Sequence, residues 1–279
     1  MRRFNLGGFV DLDYNPLMPS ALIVGHDSEI GSIVANFLSA DGWEVFSTTR
    51  RSEVLANKKN ARLFHCDLLD KESISNAVRI FVDHAPDWNL IVLSVGLLNP
   101  IGKITETDFD AWEKSIQLNF LNQIYLIREI IQGSELNSNK RRTILTFAGS
   151  GTNSAPINFS SYTLSKIALI KATELLAAEF ENCAFVSLGT GWIKSAIHNQ
   201  TLDAGESAGN VYFETIRRLN EGDFGDPNLI CKFISWMNNQ PTRAISGLNF
   251  ALQGDDWQSP DFARRLAELP DDFKLRRRG

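Results

Sequence analysis

Tyr162 and Lys166 stand four residues apart in the run Ser160-Ser-Tyr-Thr-Leu-Ser-Lys-Ile-Ala-Leu-Ile170. On a helix, that spacing puts phenol and ammonium on one face, within reach of each other. A fixed cation beside a phenol favours phenolate and lowers the tyrosine pKa. Bringing a tyrosine from ~10 to near neutrality takes roughly 3 units, or about 4 kcal/mol. A tyrosine tuned in this way is a general acid or base for an alcohol or a ketone. Many amphipathic helices bring Tyr and Lys together at this spacing, so the surrounding residues decide what the pair means.

Three further groups could build a nucleotide site. The first is the run Val24-Gly25-His-Asp-Ser28-Glu29-Ile30-Gly31, which joins an apolar segment to a helical pattern. In a doubly wound sheet such a turn receives a pyrophosphate: the glycines admit the backbone and the helix start supplies amide donors. Gly25, Ser28, Ile30 and Gly31 are the candidate residues. The second is Arg50-Arg51 after the next apolar segment, with no carboxylate between Ser47 and Ser52. An arginine at this place favours a ribose 2′-phosphate, so the expected cofactor is NADP(H) ahead of NAD(H). The plainer reading is two solvated arginines opening a helix. The third is Asp67, followed by Leu68, where a carboxylate could accept from an adenine amino group or cap the next element.

These groups fall in an order that resembles the short-chain dehydrogenase/reductase family over residues 21 to about 255. Gly25 to Gly31 comes first and Asp67 second. Ser94-Val-Gly96 then stands where the family has Asn-Ala-Gly. Asn119 lies in Ile116-Gln-Leu-Asn119, before Tyr162 and Lys166, and Thr190-Gly191-Trp-Ile193 stands where the family has Pro-Gly. The resemblance implies that Tyr162 exchanges a proton with the substrate oxygen, and that Lys166 lowers its pKa and binds the nicotinamide ribose. It implies that Asn119 holds a relay water, that Ser94 and Gly96 border the cofactor, and that Gly191 and Ile193 lie against the nicotinamide. It also implies a homodimer or homotetramer.

Two positions depart from the pattern. Glu29 replaces the middle glycine of the first turn, and a carboxylate repels a pyrophosphate unless it points away. The serine expected thirteen residues before the tyrosine is Gly149, and Ser150 is the nearest substitute as an oxyanion donor. Thr152 and Ser154 are weaker ones. The Gly-rich segment around 149–151 resembles a bacterial subgroup associated with sugar or polysaccharide pathways. The expected reaction is therefore interconversion of a secondary alcohol and a ketone on a small polar substrate, sugars and nucleotide sugars included. Trp192, His198, Gln200 and Tyr212 are candidate pocket residues, each of which packing alone could also explain. A cofactor-binding sensor would suit Glu29 and Gly149 but has no need of an acid/base pair. A non-redox epimerase or dehydratase would use the same pair.

The elements that must position these residues read as alternating apolar strands and amphipathic helices. Strands are expected at 21–25, 43–48, 61–66, 90–94, 142–147, 184–188 and 247–251. Helices are expected at 29–40, 71–84, 108–132, 160–181, 206–220 and 226–238. Strands apolar on both faces indicate a parallel sheet covered on both sides, an α/β doubly wound Rossmann fold of about seven strands. Residues 20–258 form one domain in this reading, with 1–19 an N-terminal extension and 259–279 a C-terminal tail.

Composition agrees with an ordinary folded domain. The chain has 279 residues, 43% of them hydrophobic, and a net charge of −5. That balance disfavours nucleic acid as a partner. No apolar run reaches the roughly 18 residues a membrane helix needs. Cys66, Cys183 and Cys231 are odd in number and widely spaced, which favours a reducing cytoplasm over a disulfide framework. They show no metal-ligand spacing with the four histidines.

Overall fold

Alternation of side chains along each strand builds two cores on one sheet. In β1 (Ser20–Val24), Ala21 and Ile23 face one side while Leu22 and Val24 face the other. In β4 (Leu90–Leu93) the same split separates Leu90 and Val92 from Ile91 and Leu93. Strands buried on both faces in this way need helices on both sides. Residues 18–57, 62–134 and 140–277 are described by the computed structural model.

The other strands are β2 (Glu44–Thr49), β3 (Leu63–His65), β5 (Thr143–Phe147), β6 (Ala184–Gly189) and β7 (Leu248–Ala251). All seven pair in parallel in the order β3-β2-β1-β4-β5-β6-β7. The order reverses between β1 and β4, and a doubly wound sheet opens its ligand crevice at the carboxyl ends beside that point. The expected Rossmann architecture is therefore the observed one.

Helices α1 (Glu29–Ala40) and α9 (Asn228–Asn238) cover one face. Helices α3 (Lys71–His84) and α5 (Asn122–Gly133) cover the other. The remaining helices are α2 (Ser52–Asn57), α4 (Phe109–Ile116), α6 (Ser160–Glu179), α7 (Ile197–Ala204), α8 (Asn210–Glu221), α10 (Thr242–Ile245) and α11 (Phe262–Glu268). The single helix expected over 108–132 is interrupted: α4 and α5 are joined by a π turn, Gln117–Leu121. Hydrophobic spacing reports the buried face but not which carbonyl each amide reaches, so this turn is invisible to it.

The segment after 258, read as a tail, is part of the core. Phe262, Leu266 and Phe273 are each under 5% exposed and join the α1/α9 core with Trp257. Arg276 then pairs with Glu174 on α6. Most of the proposed extension, residues 1–17, lies outside the described residues.

Candidate active site

The first turn is built by its own capping chemistry. Ser28 caps α1: its Oγ accepts from the Gly31 amide at 2.9 Å and donates to the Gly25 carbonyl at 2.9 Å. Gly25 has φ +92°, and a Cβ there would come within 2.6 Å of Val95. A Cβ on Gly31 would sit 2.2 Å from the Gly25 carbonyl and 2.5 Å from Ser94 Oγ. Both positions therefore require glycine. Ser94 Oγ donates to the Val24 carbonyl at 2.9 Å, tying β4 to the turn, and a Cβ on Gly96 would make ordinary van der Waals contact with Ile197 at 3.5 Å. The cap leaves the Glu29 and Ile30 amides at the helix start, the arrangement that binds a pyrophosphate.

Glu29 does not occupy that helix start as a free charge. Its Oε1 accepts from the Ala196 amide at 3.0 Å, in the segment between β6 and α7. Spacing could not reveal this contact, because it joins residues 167 apart.

At the end of β2 the arginine pair meets a carboxylate that sequence reading missed. Asp27, from the glycine turn, accepts from Thr49 Oγ1 at 2.6 Å and from Arg51 at 3.0 Å. Burial pulls the Asp27 carboxyl up, but the Thr49 and Arg51 hydrogen bonds and the Arg51 charge hold it below its ordinary value. The corner expected to be purely basic is therefore a carboxylate paired with one arginine, and Arg50 stands beside it. Asp67 caps its own turn: its Oδ1 accepts from the Leu69 amide at 2.9 Å, and its own amide donates to Ser73. Leu68 is buried, and its carbonyl accepts from Asn122.

Tyr162 and Lys166 lie in the first two turns of α6. Lys166 is 3% exposed, and its Nζ donates to the Phe147 carbonyl at 3.0 Å. The ammonium stands 5.8 Å from the centre of the Tyr162 ring. Burial pushes the Lys166 ammonium down to about 8 and the Tyr162 phenol up to about 12. This corrects the expectation of a depressed tyrosine. With the ammonium committed to a carbonyl, desolvation dominates and the phenol stays protonated at neutral pH.

Gly149 is pressed against this pair. A Cβ there would lie 2.8 Å from Tyr162 Cε1 and 2.8 Å from Lys166 Cγ. The glycine is thus a fitted neighbour, and a side chain at 149 would have to displace the phenol. Ser150 is exposed, and no hydrogen bond joins it to Tyr162 among the described residues. Asn119 is fully buried at the π turn, and its amide holds neighbouring groups. Oδ1 accepts from the Leu97 amide at 2.8 Å, and Nδ2 donates to the Leu97 carbonyl at 2.7 Å and to Ser115. Its side chain clamps the strand-end loop after β4.

On the far side, Gly191 has φ +68° and closely faces Gln253, which also fills the space beside Gly225. Ile193 is 4% exposed and packs into the α1/α9 core. Trp192 and His198 stack at 4.9 Å, Arg218 covers the indole, and His198 Nε2 bonds the Ile193 carbonyl, so this trio is a structural stack.

Residues 19–204 match the short chain dehydrogenase family. The chain belongs to the short-chain dehydrogenases. An NAD-dependent glycerol dehydrogenase of Listeria innocua is 23% identical over 249 residues, covering 88% of this chain and 96% of that one. Among solved structures, the KRED1-Pglu enzyme superposes with a TM-score of 0.74 at 16% identity, covering 84% of this chain and all of that one. A variant of the actinorhodin polyketide ketoreductase with NADPH gives 0.70 at 18% identity, covering 84% of this chain and 95% of that one. This short-chain dehydrogenase is thus an oxidoreductase of the NAD(P)-dependent kind. Its residues fit that group. The glycine turn leaves a cradle that a Cβ would fill, and the buried Lys166 ammonium has three protons and a single protein acceptor.

Proposed function

We propose that this dehydrogenase interconverts a ketone and a secondary alcohol, with Tyr162 as the group that exchanges a proton with the substrate oxygen. The observation that carries this is the partly buried Tyr162 phenol beside buried Lys166 at the carboxyl end of the sheet. When bound, the nicotinamide supplies or accepts a hydride. Lys166 offers its two remaining protons to the cofactor ribose. The glycine turn and the Glu29 and Ile30 amides hold the pyrophosphate, and Gly191 lets the chain after β6 approach. Tyr162 donates its proton when a carbonyl is reduced and takes one back when an alcohol is oxidised. Gly149 offers no hydroxyl, so the oxyanion falls to Tyr162 itself. The test is a screen of carbonyl substrates and alcohols read by nicotinamide absorbance. Turnover that needs neither nicotinamide nor Tyr162 would overturn the proposal.

For the cofactor we propose NADP(H), supported by Arg50 and Arg51 at the end of β2, with a preference moderated by Asp27. A carboxylate beside a 2′-phosphate costs about 1 kcal/mol at a solvated site. Asp27→Asn is therefore expected to tighten NADPH roughly 5-fold relative to NADH, measured by calorimetric titration of both. An unchanged ratio would remove Asp27 from the ribose corner.

The proposed assembly is a homodimer or homotetramer. Leu164 and Leu175 are 52% and 55% exposed, and their eleven-residue spacing puts them on one face of α6. Leu121 at the π turn is 51% exposed as well. Replacing Leu164 and Leu175 together by glutamate is expected to yield monomers in light-scattering chromatography. Unchanged mass would place the interface elsewhere. The cytoplasm is the proposed compartment, supported by three buried, unpaired cysteines. No helix among the described residues is long and apolar enough to cross a membrane.

A further inference from the structure

We infer that the Glu29 carboxylate is a built-in competitor of the cofactor pyrophosphate: it links the starts of two helices, and it gives up the Ala196 amide when the dinucleotide binds. This rests on reading the Gly25–Gly31 turn as the pyrophosphate site. Glu29 is the first residue of α1, and its Oε1 accepts from the Ala196 amide at 3.0 Å. Ala196 is the N-cap residue of α7 and brings no side-chain acceptor of its own. The next amides are satisfied locally: His198 donates to the Ser195 carbonyl and Asn199 to the Ala196 carbonyl. The carboxylate therefore sits at two helix starts at once, and each such end carries partial positive charge. Among the described residues no lysine or arginine pairs with Glu29. The dinucleotide pyrophosphate, itself an anion, is drawn to the same place by the same amides. Glu29 and Ala196 are both exposed, so their bond is open to exchange with solvent and with a ligand.

The bond also decides how α7 is held. Ile193, before it, is fixed in the α1/α9 core, and Gln200, after it, accepts from the Leu98 and Asn99 amides. Between these anchors, no other hydrogen bond ties residues 194–196 to the rest of the chain among the described residues. The helix that follows places Ile197 in the cluster around Tyr162. Glu29 is thus a positioning residue. It fixes the start of α7 in the cofactor-free protein, and the entering pyrophosphate takes over its place. Arrival of the cofactor is in this way coupled to the wall beside Tyr162.

The test measures NADPH and NADH affinity by nicotinamide fluorescence on the full chain and on Glu29→Gln and Glu29→Ala. Both nucleotides carry the same pyrophosphate, so the effect falls on them equally, unlike that of Asp27→Asn. One like charge removed from about 4 Å in water is worth a factor of roughly 5. Glu29→Gln loses the charge but keeps an acceptor for Ala196, and is expected to tighten both nucleotides at least ~5-fold. Glu29→Ala also frees the Ala196 amide and is expected to gain at least as much. A second readout is hydrogen exchange at the Ala196 amide, followed by nuclear magnetic resonance. Without cofactor it is expected to be several-fold faster in Glu29→Ala than in the parent; with saturating NADPH the two should exchange alike. A smaller gain or a loss of affinity in both variants overturns the competitor, and so does a gain for one nucleotide alone. A difference in Ala196 exchange that persists under saturating NADPH overturns it as well. Each of these results leaves the pyrophosphate reading standing, because the nucleotides still bind. Absence of binding by the parent and by both variants overturns that underlying reading instead.

Discussion

Tyr162→Phe is expected to lower kcat about 1,000-fold while leaving cofactor affinity within a few-fold of the parent. The substitution removes one hydroxyl and keeps the ring that packs against Gly149 and the Leu98 cluster. A positioned general acid contributes typically 10²- to 10⁴-fold, so its loss falls on turnover. The residue pressed against the phenol here is Gly149, which offers no hydroxyl to share the substrate oxygen, so the effect belongs near the upper end of that range. Steady-state kinetics on one responsive ketone, with nicotinamide fluorescence on the same sample, separates the two quantities. Turnover within 10-fold of the parent would show that another group moves the proton.

Lys166→Met is expected to do two opposite things: to reduce turnover at least ~100-fold and to make the cofactor-free protein more stable at neutral pH. The ammonium is buried with one carbonyl acceptor, and burial holds its pKa at about 8, below its ordinary 10.5. The sign follows from proton counts. Between about pH 8 and 10.5 the unfolded chain binds the proton that the folded chain has released, so parent stability rises with pH in that window. Below it the full cost of the buried charge is present, roughly 3 kcal/mol on this shift. Methionine removes that cost. The variant should therefore exceed the parent most at pH 7, and the gap should close as pH rises toward 10. Tyr162 works the other way at higher pH. Its folded pKa of about 12 means stability is lost above its ordinary 10, so the comparison belongs below that point. Denaturant melts at pH 7 and pH 9.5 give the answer; a variant less stable than the parent at pH 7 would contradict it.

This pairing of costs explains why parts of the site were legible in the sequence and others were not. Tyr162, Lys166 and the Gly25–Gly31 turn were legible because each depends on local spacing: i,i+4 on a helix, or glycine and a serine cap at a helix start. The strands were legible because their buried runs are short and bounded. What escaped was long-range pairing. Asp27 reaches Arg51 only because β1 and β2 are parallel neighbours, which brings the turn after β1 beside the end of β2. Glu29 reaches Ala196, and Gln253 reaches Gly191 and Gly225, across still longer separations. Phe262 and Phe273 looked like part of a tail because aromatic residues spaced along a short, charged segment show no helical period long enough to trust. The pKa of Tyr162 went the other way from expectation because spacing shows a nearby cation but not desolvation, nor the Phe147 carbonyl that holds that cation.

The most direct test of a nicotinamide-dependent site at the Gly25–Gly31 turn is a fluorescence titration of the purified chain with NADPH and with NADH, repeated on Gly31→Ala. A Cβ at 31 would lie 2.2 Å from the Gly25 carbonyl, so the turn must open to accept it. Saturable enhancement of nicotinamide emission is expected with the parent, tighter for NADPH, and at least a 10-fold weaker affinity in the variant while it remains folded by circular dichroism. No saturable binding of either nucleotide by the parent would contradict it.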